Sequence, residues 1–460
     1  MLIRDQAGRT ARLLLYSGIG WLCVAAAAGA GAALAAGGFV PAAAGGGAPW
    51  AFVRLLQPVF LNALVFGWAA MAGVGVALLV MHRTHGTALH SEPLGQLAVW
   101  VWNAANGAGI AGLGLGLRAG GPLAEYIWPA KLAWFLGLLL VLYNVARTLS
   151  RTRQPLYVSD WYLLAALAWT AVVYPLGTGL WLPEGLGSGP MGALLYGMYT
   201  QGIVWLWAVP LALGAALYVA PSIAGHPLYS GKLAQLGLWG LALYAGTGIQ
   251  RLWGASLPGW VQALPAALGA LTLVPALAAA ANLHHTVRPR WAALAGTPAG
   301  RFLQLGSGLL VLAAVQAAIE PLGIVQSRIH ATQWAAAAPL TALLGGATFL
   351  LFAGVYELLP MLRRPADRLQ APLYGPRAAR WHAGASSLGV VLFVAGLWLG
   401  GTLQAVQRAA FSPAALQPAL ALQAAGLALF LVAQVFLVYT VARAAVAPRE
   451  VQLPVTITYP

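Results

Sequence analysis

Eight histidines hold most of the coordination chemistry open to this chain: His82, His85, His90, His226, His284, His285, His330 and His382. Each falls in a loop or within about a turn of the end of an apolar run, and none sits mid-run. The stretch "MHRTHGTALH" (81–90) gathers three of them. Imidazoles at i and i+3 can share a helix face and hold a divalent metal. The alternative is a titrating interfacial loop, since only Glu92 accompanies them. His284 and His285 are adjacent, so on a helix they point apart. Of nine acidic residues, Glu320 and Glu357 adjoin apolar runs closely enough to act as proton carriers or as interfacial carboxylates. The polar groups inside the runs are Asn62, Asn103, Asn106, Asn144, Gln201, Tyr244, Thr247 and Gln316. No Walker loop, nucleotide-binding glycine pattern or Ser/His/Asp grouping is present. So few embedded charges argue against an ion-driven pump with a carboxylate-lined path.

The elements that must position these groups are long and apolar. Hydrophobic residues make up 60% of the chain and charged residues 7%, where a soluble domain averages nearer a quarter charged. Apolar runs of about 20 residues predict twelve membrane spans near 13–36, 56–81, 95–117, 130–147, 160–181, 193–220, 233–253, 261–284, 302–319, 334–358, 384–407 and 419–446. The first run is long enough to span, which sets it apart from a cleavable signal. The single Cys23 lies inside it, so there is no disulfide framework. Eighteen of the 24 Lys and Arg fall on the termini and even-numbered loops and six on the odd-numbered loops. That bias places both termini in the cytoplasm and assigns the net charge of +15 to topology and lipid headgroups, not nucleic acid. "PAAAGGGAP" (41–49) reads as a flexible outer loop, and no short-period repeat is visible. The expectation is one all-α polytopic membrane bundle of about 12 helices, a single domain over 1–460.

Several segments, in order, resemble one family, the catalytic subunit I of cbb-type cytochrome c oxidases and nitric oxide reductases within the haem-copper oxidases. "EYIWP" (125–129) and "LYVSDWY" (156–162) resemble its E-Y-x-x-x-W-P and I-Y-V-S-x-W-F segments. "VAPSIAGHPLYSGKL" (219–233), "SLPGWVQALP" (256–265), "IHATQW" (329–334) and "SLGVVLFVAGLWLGGTLQ" (387–404) are similar to further segments at matching spacing. The likeness covers most of the chain. It implies a subunit-I-like fold, a bacterial cytoplasmic (inner) membrane location, and partners such as a c-type cytochrome or other respiratory-complex subunits besides membrane lipids.

In that family six histidines hold two haems and one copper. By resemblance, the haem-ligand positions fall on Asn62, Ala338 and Leu340, and the copper-ligand positions on Gln201, Gln250 and Arg251. All six are replaced. Tyr244, Glu320 and Trp334 keep family residue types, and His330 is a weak substitute haem ligand at the outer end of the tenth span. Amides are poor ligands for these metals and a guanidinium stays protonated, so no cofactor is expected. Gln201, Gln250, Arg251 and Tyr244 are expected to form a polar plug, with bulky side chains such as Trp205, Trp207 and Trp253 filling haem-sized space. The run Ala335–Ala338 opens room instead. The resulting expectation is a haem-free, non-catalytic pseudoenzyme serving as an accessory or scaffold subunit. Alternatives are an active oxidase or nitric oxide reductase with unorthodox ligands such as His330 or Met71, and a protein that binds quinone, lipid or another small molecule in the emptied pockets.

Overall fold

Helices dominate because the chain offers long apolar runs whose backbone groups can be satisfied only within the segment when water is excluded. The computed structural model describes residues 8–40, 49–180, 189–245, 259–358, 364–365, 375–407, 413–446 and 448–449. The helices in chain order are α1 (Arg9–Ala36), α2 (Ala51–His85), α3 (Glu92–Gly114), α4 (Trp128–Leu149), α5 (Val158–Gly177) and α6 (Met191–Ala224). They continue with α7 (Gly231–Gly240, running into a π turn at Leu241–Ala245) and α8 (Gly259–Leu271 and Leu273–Val287, joined at Thr272). The last are α9 (Pro298–Ile319), α10 (Trp334–Leu358), α11 (Pro376–Val406) and α12 (Gln417–Val446). Among the described residues, nine helices are long and apolar enough to cross a membrane. The third and fifth expected spans are present as α3 and α5 but are not among those nine, and the seventh runs past the described residues. The described strands are one two-residue parallel pair, Arg364–Pro365 with Pro448–Arg449.

Three helices stand apart. The most apolar stretches of α2 and α6 are wholly buried inside the protein and that of α10 is 89% buried, against 44–56% for the other six. A helix apolar all round belongs in the centre, and these three form it. Each also carries a wide π turn: Ala63–Ala69, Ile203–Ala208 and Thr341–Ala347. A π turn loosens backbone bonding, and side chains take up the slack. The Phe66 carbonyl accepts from Asn106 Nδ2 at 3.0 Å and Trp134 Nε1 at 3.4 Å, while Thr348 Oγ1 donates to the Leu343 carbonyl at 2.8 Å. In α6 Pro210 has no N–H to return to the Leu206 carbonyl.

The outer helices are tied to each other at the end of the bundle where α1 begins, here the proximal face. Ser91 and Asn144 exchange hydrogen bonds, Ser91 N to Asn144 Oδ1 at 3.0 Å and Asn144 Nδ2 to the Ser91 carbonyl at 2.8 Å. The His90 N–H donates to Thr148 Oγ1 at 2.8 Å. The same clasp recurs between α7 and α8. There Ser230 and Asn282 exchange bonds of 3.0 and 2.8 Å, and the Tyr229 N–H donates to Thr286 Oγ1 at 3.0 Å. A third copy is recognisable between α11 and α12. "YTVARA" (439–444) parallels "YNVART" (143–148), and Gly375 lies beside Tyr439 and Arg443. In that copy Gly375, Thr440 and Ala444 stand where Ser, Asn and Thr stand in the others. The chain therefore contains a long-period repeat that the sequence reading missed. On the same face, Glu92 accepts from the Gly8 N–H, the Thr10 N–H and Thr10 Oγ1 at 2.7, 2.9 and 2.6 Å. A carboxylate at a helix N-terminus satisfies otherwise orphaned amides.

Candidate functional site

Asn62 sits at the last α-helical position before the first π turn, near the distal face, and is fully buried. Its Nδ2 donates to Glu125 Oε2 at 2.7 Å and to the Pro58 carbonyl at 2.9 Å. Glu125, from the loop between α3 and α4, is 4% exposed and also accepts from the Leu123 N–H at 2.9 Å. Burial raises the Glu125 pKa, while the Asn62 and Leu123 hydrogen bonds and the Arg118 charge pull it back. Leu123 adopts φ 66°, a left-handed conformation costly for leucine. It is held there from both sides, its N–H by Glu125 and its carbonyl by the Tyr199 hydroxyl. Lys131 Nζ donates to the Ala119 carbonyl at 2.9 Å and to the Thr178 carbonyl at 3.1 Å, tying this loop to the C-terminal end of α5. The Asn62 Oδ1 atom has no protein partner.

Behind this cap lies an aromatic cluster drawn from five helices. Trp102 stacks on Trp134 (5.6 Å, 17°) and Trp134 on Tyr174 (4.6 Å, 30°). Trp207 meets both tryptophans edge-on, and Phe66 meets Trp134 at 4.9 Å. A second cluster fills the contact between α2 and α10, where Trp68 Nε1 donates to Thr348 Oγ1 at 3.1 Å beside Phe352, Phe302 and Phe349. Trp205 and Trp207 are buried, as a space-filling role requires; Trp253 lies outside the described residues.

The other positions are dispersed. Gln201 is half-buried, and among the described residues no hydrogen bond engages its side chain. Tyr244 is half-buried in the π turn of α7, and Gln250 and Arg251 lie outside the described residues, as does the plug they would complete. Ala338 is buried and Leu340 half-buried at the start of α10. His330 is exposed at the end of a short helix, Gly323–Ile329. Glu320 accepts from Gln316 Nε2 at 2.6 Å. Gln316 Nε2 also donates to the Trp334 carbonyl at 2.8 Å, and its Oε1 accepts from Trp398 Nε1 at 2.7 Å. Trp334 stacks on Trp398 and donates to Thr402 Oγ1 at 3.0 Å. Glu320 and Trp334 thus belong to one network joining the distal ends of α9, α10 and α11.

The three loop histidines separate. His85 Nε2 pairs with Asp160 Oδ2 at 2.7 Å, His82 bonds the Thr87 carbonyl, and His90 packs against Tyr143. His284 packs on Trp291 and His285 on Tyr229, and the two imidazoles meet edge-on at 5.6 Å. Among the described residues no three His, Cys, Asp or Glu side chains converge on a possible metal position. His382 differs from its expected loop or span-end position: α11 begins at Pro376 and buries it completely. Sequence reasoning noted Glu92 only as a companion of the loop histidines and passed over Glu125 and Asp160. Their partners Thr10, Asn62 and His85 lie 82, 63 and 75 residues away, beyond any local pattern.

Residues 9–436 match the family described as Cytochrome C and Quinol oxidase polypeptide I. The chain belongs to that family. It is 26% identical over 381 residues to "Cytochrome c oxidase subunit 1 homolog" of Azorhizobium caulinodans, covering 79% of this chain and 67% of the relative. It is 26% identical over 439 residues to "Cytochrome c oxidase subunit 1 homolog, bacteroid" of Bradyrhizobium diazoefficiens, with 89% and 78% covered. It is 24% identical over 366 residues to "Cbb3-type cytochrome c oxidase subunit CcoN1" of Stutzerimonas stutzeri, with 77% and 76% covered. This oxidase polypeptide I homologue is thus a divergent, multi-span, all-helical member of a bacterial oxidase family.

The described residues at the positions that the resemblance implies for the haem ligands do not fit a haem iron. At the positions the resemblance implies, Ala338 and Leu340 have no donor atom in the side chain, and Asn62 Nδ2 is already committed to Glu125 and Pro58. Imidazole nitrogens near the three central helices lie at the proximal face or, for His330, on the surface. Haem iron needs an axial donor such as imidazole, thiolate or thioether.

Proposed function

We propose that this polypeptide I homologue is a haem-free, non-catalytic subunit that keeps the oxidase bundle as a membrane scaffold within a respiratory assembly. The observation that carries the reading is the Asn62–Glu125 hydrogen bond of 2.7 Å. Where the family resemblance calls for an imidazole on iron, an amide instead fastens the helix to a buried carboxylate of its own chain. A fold does not retain its chemistry once the site is replaced. The broad, lipid-facing helical surface and the family's habit of working with other respiratory subunits support a partner in the same membrane, a c-type cytochrome or an intact catalytic subunit. The cluster of basic residues at the proximal face, Arg147, Arg290 and Arg443 among them, supports an inner-membrane orientation with that face and both termini in the cytoplasm.

The test is a reduced-minus-oxidised spectrum with metal analysis on the full chain purified from membranes. The expected result is neither b-type haem nor copper, together with a co-purifying respiratory subunit. Haem near one equivalent or more would sink the proposal in favour of unorthodox ligation, and a stoichiometric quinone would redirect it to small-molecule binding.

A further inference from the structure

The clasp of the first repeat gathers positive charge. The His90 N–H donates to Thr148 Oγ1 at 2.8 Å and the Arg151 N–H to the Thr148 carbonyl at 3.2 Å, so one threonine holds both residues at the end of α4. Arg147 precedes that threonine in the last helical turn, where its carbonyl accepts from Ser150 Oγ at 3.1 Å. The side chains of Arg147 and Arg151 are exposed. Burial and the charges of Arg151 and Arg147 hold the His90 imidazole below its ordinary pKa. Its Nδ1 atom has no protein partner.

Among the described residues no carboxylate pairs with either guanidinium. On this face Glu92 is held by Gly8 and Thr10, and Asp160 by His85. A helix C-terminus carries about half a negative charge, too little to balance two guanidiniums. They suit an anion supplied from outside the chain. The other repeats are built differently. In the second, the places of Arg147 and Arg151 hold His285 and Pro289, and Tyr229 stacks on the His285 ring at 4.7 Å. In the third they hold Arg443 and Ala447, and Arg443 Nη1 donates to the Tyr439 hydroxyl at 3.4 Å.

The surface that leads to the charge identifies the anion. Leu136, Leu139, Tyr143 and Arg147 follow one another at three- and four-residue intervals, so they form one stripe on α4. All four are exposed. The stripe passes from aliphatic side chains, through an aromatic ring of the kind found at membrane interfaces, to the cations. The Tyr143 ring meets His90 edge-on at 6.0 Å, which joins the aromatic step to the charged one. A free phosphate would use only the cationic end, whereas a phospholipid uses the whole length.

We propose that Arg147 and Arg151, beside His90, bind the headgroup phosphate of one anionic phospholipid whose acyl chains lie along Leu139 and Leu136. The guanidiniums offer paired donors to the phosphate oxygens, and the Tyr143 ring packs at the glycerol level. Such a site is independent of whether the chain carries haem.

The experiment is native mass spectrometry of the full chain purified from membranes and offered equal amounts of phosphatidylglycerol and phosphatidylcholine with the same acyl chains. The expected result is one phosphatidylglycerol retained per chain in preference to phosphatidylcholine. A basic residue at an anionic membrane surface is worth about fivefold in binding, so Arg147→Gln and Arg151→Gln each lower the preference by about that factor and the double variant by about thirtyfold. Arg443→Gln leaves it unchanged. An equal fall with Arg443→Gln shows diffuse surface charge and overturns the proposal, as does equal retention of the two lipids by the unaltered chain. Excess inorganic phosphate leaves the lipid bound; displacement would assign the site to a free anion and overturn the lipid. If the double variant fails to fold, the preference of the unaltered chain and the phosphate competition decide the matter.

Discussion

The first and second repeats close their proximal ends with the same clasp, and the third does not. In the first, Ser91, Asn144 and Thr148 bind helix start to helix end; in the second, Ser230, Asn282 and Thr286 do so with bond lengths within 0.2 Å. The third replaces them with Gly375, Thr440 and Ala444, and Thr440 Oγ1 turns back to the Phe436 carbonyl at 2.7 Å. Yet α11 and α12 remain side by side, held by close glycine contacts at Gly389, Gly396 and Gly426. The two solutions differ in kind. Polar clasps fix a register through directed bonds at the helix ends, whereas glycines let backbones approach along the length, as small residues do between membrane helices.

That difference sets the expected effects of substitution. The largest belongs to the distal cap shared by the first repeat and the central helix: Asn62→Leu should cost about 2–3 kcal/mol, because it strands a buried carboxylate. Thermal unfolding in detergent measures this, and an unchanged midpoint would remove Asn62 as an anchor. Next, Asn144→Ala and Asn282→Ala should each cost about 1–2 kcal/mol while Thr440→Ala costs a few tenths. Equal effects at all three would break the comparison. Building the clasp into the third repeat with Gly375→Ser and Thr440→Asn should gain about 1 kcal/mol. Gly375 has ordinary φ and ψ of −66° and 114°, and a Cβ there meets Arg443 and Tyr439 at 3.6 and 3.8 Å, so the change is sterically open.

The smallest effect is one of pH. Burial raises the Glu125 pKa above its ordinary 4.5. Its contribution to stability is thus complete below that ordinary value and is lost as pH rises through the elevated folded-state value. Glu125→Gln should flatten this part of the stability profile. A profile identical to that of the unaltered chain would show that another group titrates there.

Much of the architecture was readable from composition, because 20-residue apolar runs leave few choices. The placing of the six ligand positions on residues other than histidine is what the resemblance implies. What escaped was pairing at a distance. Asn62 was visible as a misplaced polar residue, but Glu125, its partner, was visible only as a letter in "EYIWP". Asp160, in "LYVSDWY", gave no sign that it would receive His85. The clasp escaped because each copy joins residues 53 or 52 apart in sequence and the copies lie more than a hundred residues from one another. Asn-x-x-x-Thr near a helix end is too common a pattern to stand out once. It becomes a signal only when the preceding Ser and both copies are set side by side.

The wide turns in α2, α6 and α10 have a consequence for anyone engineering this chain. A helix with a π turn carries one residue more than an α-helix of the same length, and everything beyond it is rotated by about 100°. The residues before Ala63, Ile203 and Thr341 are thereby out of phase with those that follow. Deleting one residue inside such a turn would let it close to an ordinary α-helix of the same length, so that the halves on either side keep their neighbours and only the wide turn and its side-chain contacts are lost. Where these helices sit at the centre of the bundle, each wide turn acts as a local buffer: it takes up one extra residue so that the sequence on either side keeps its packed face although its phase is shifted.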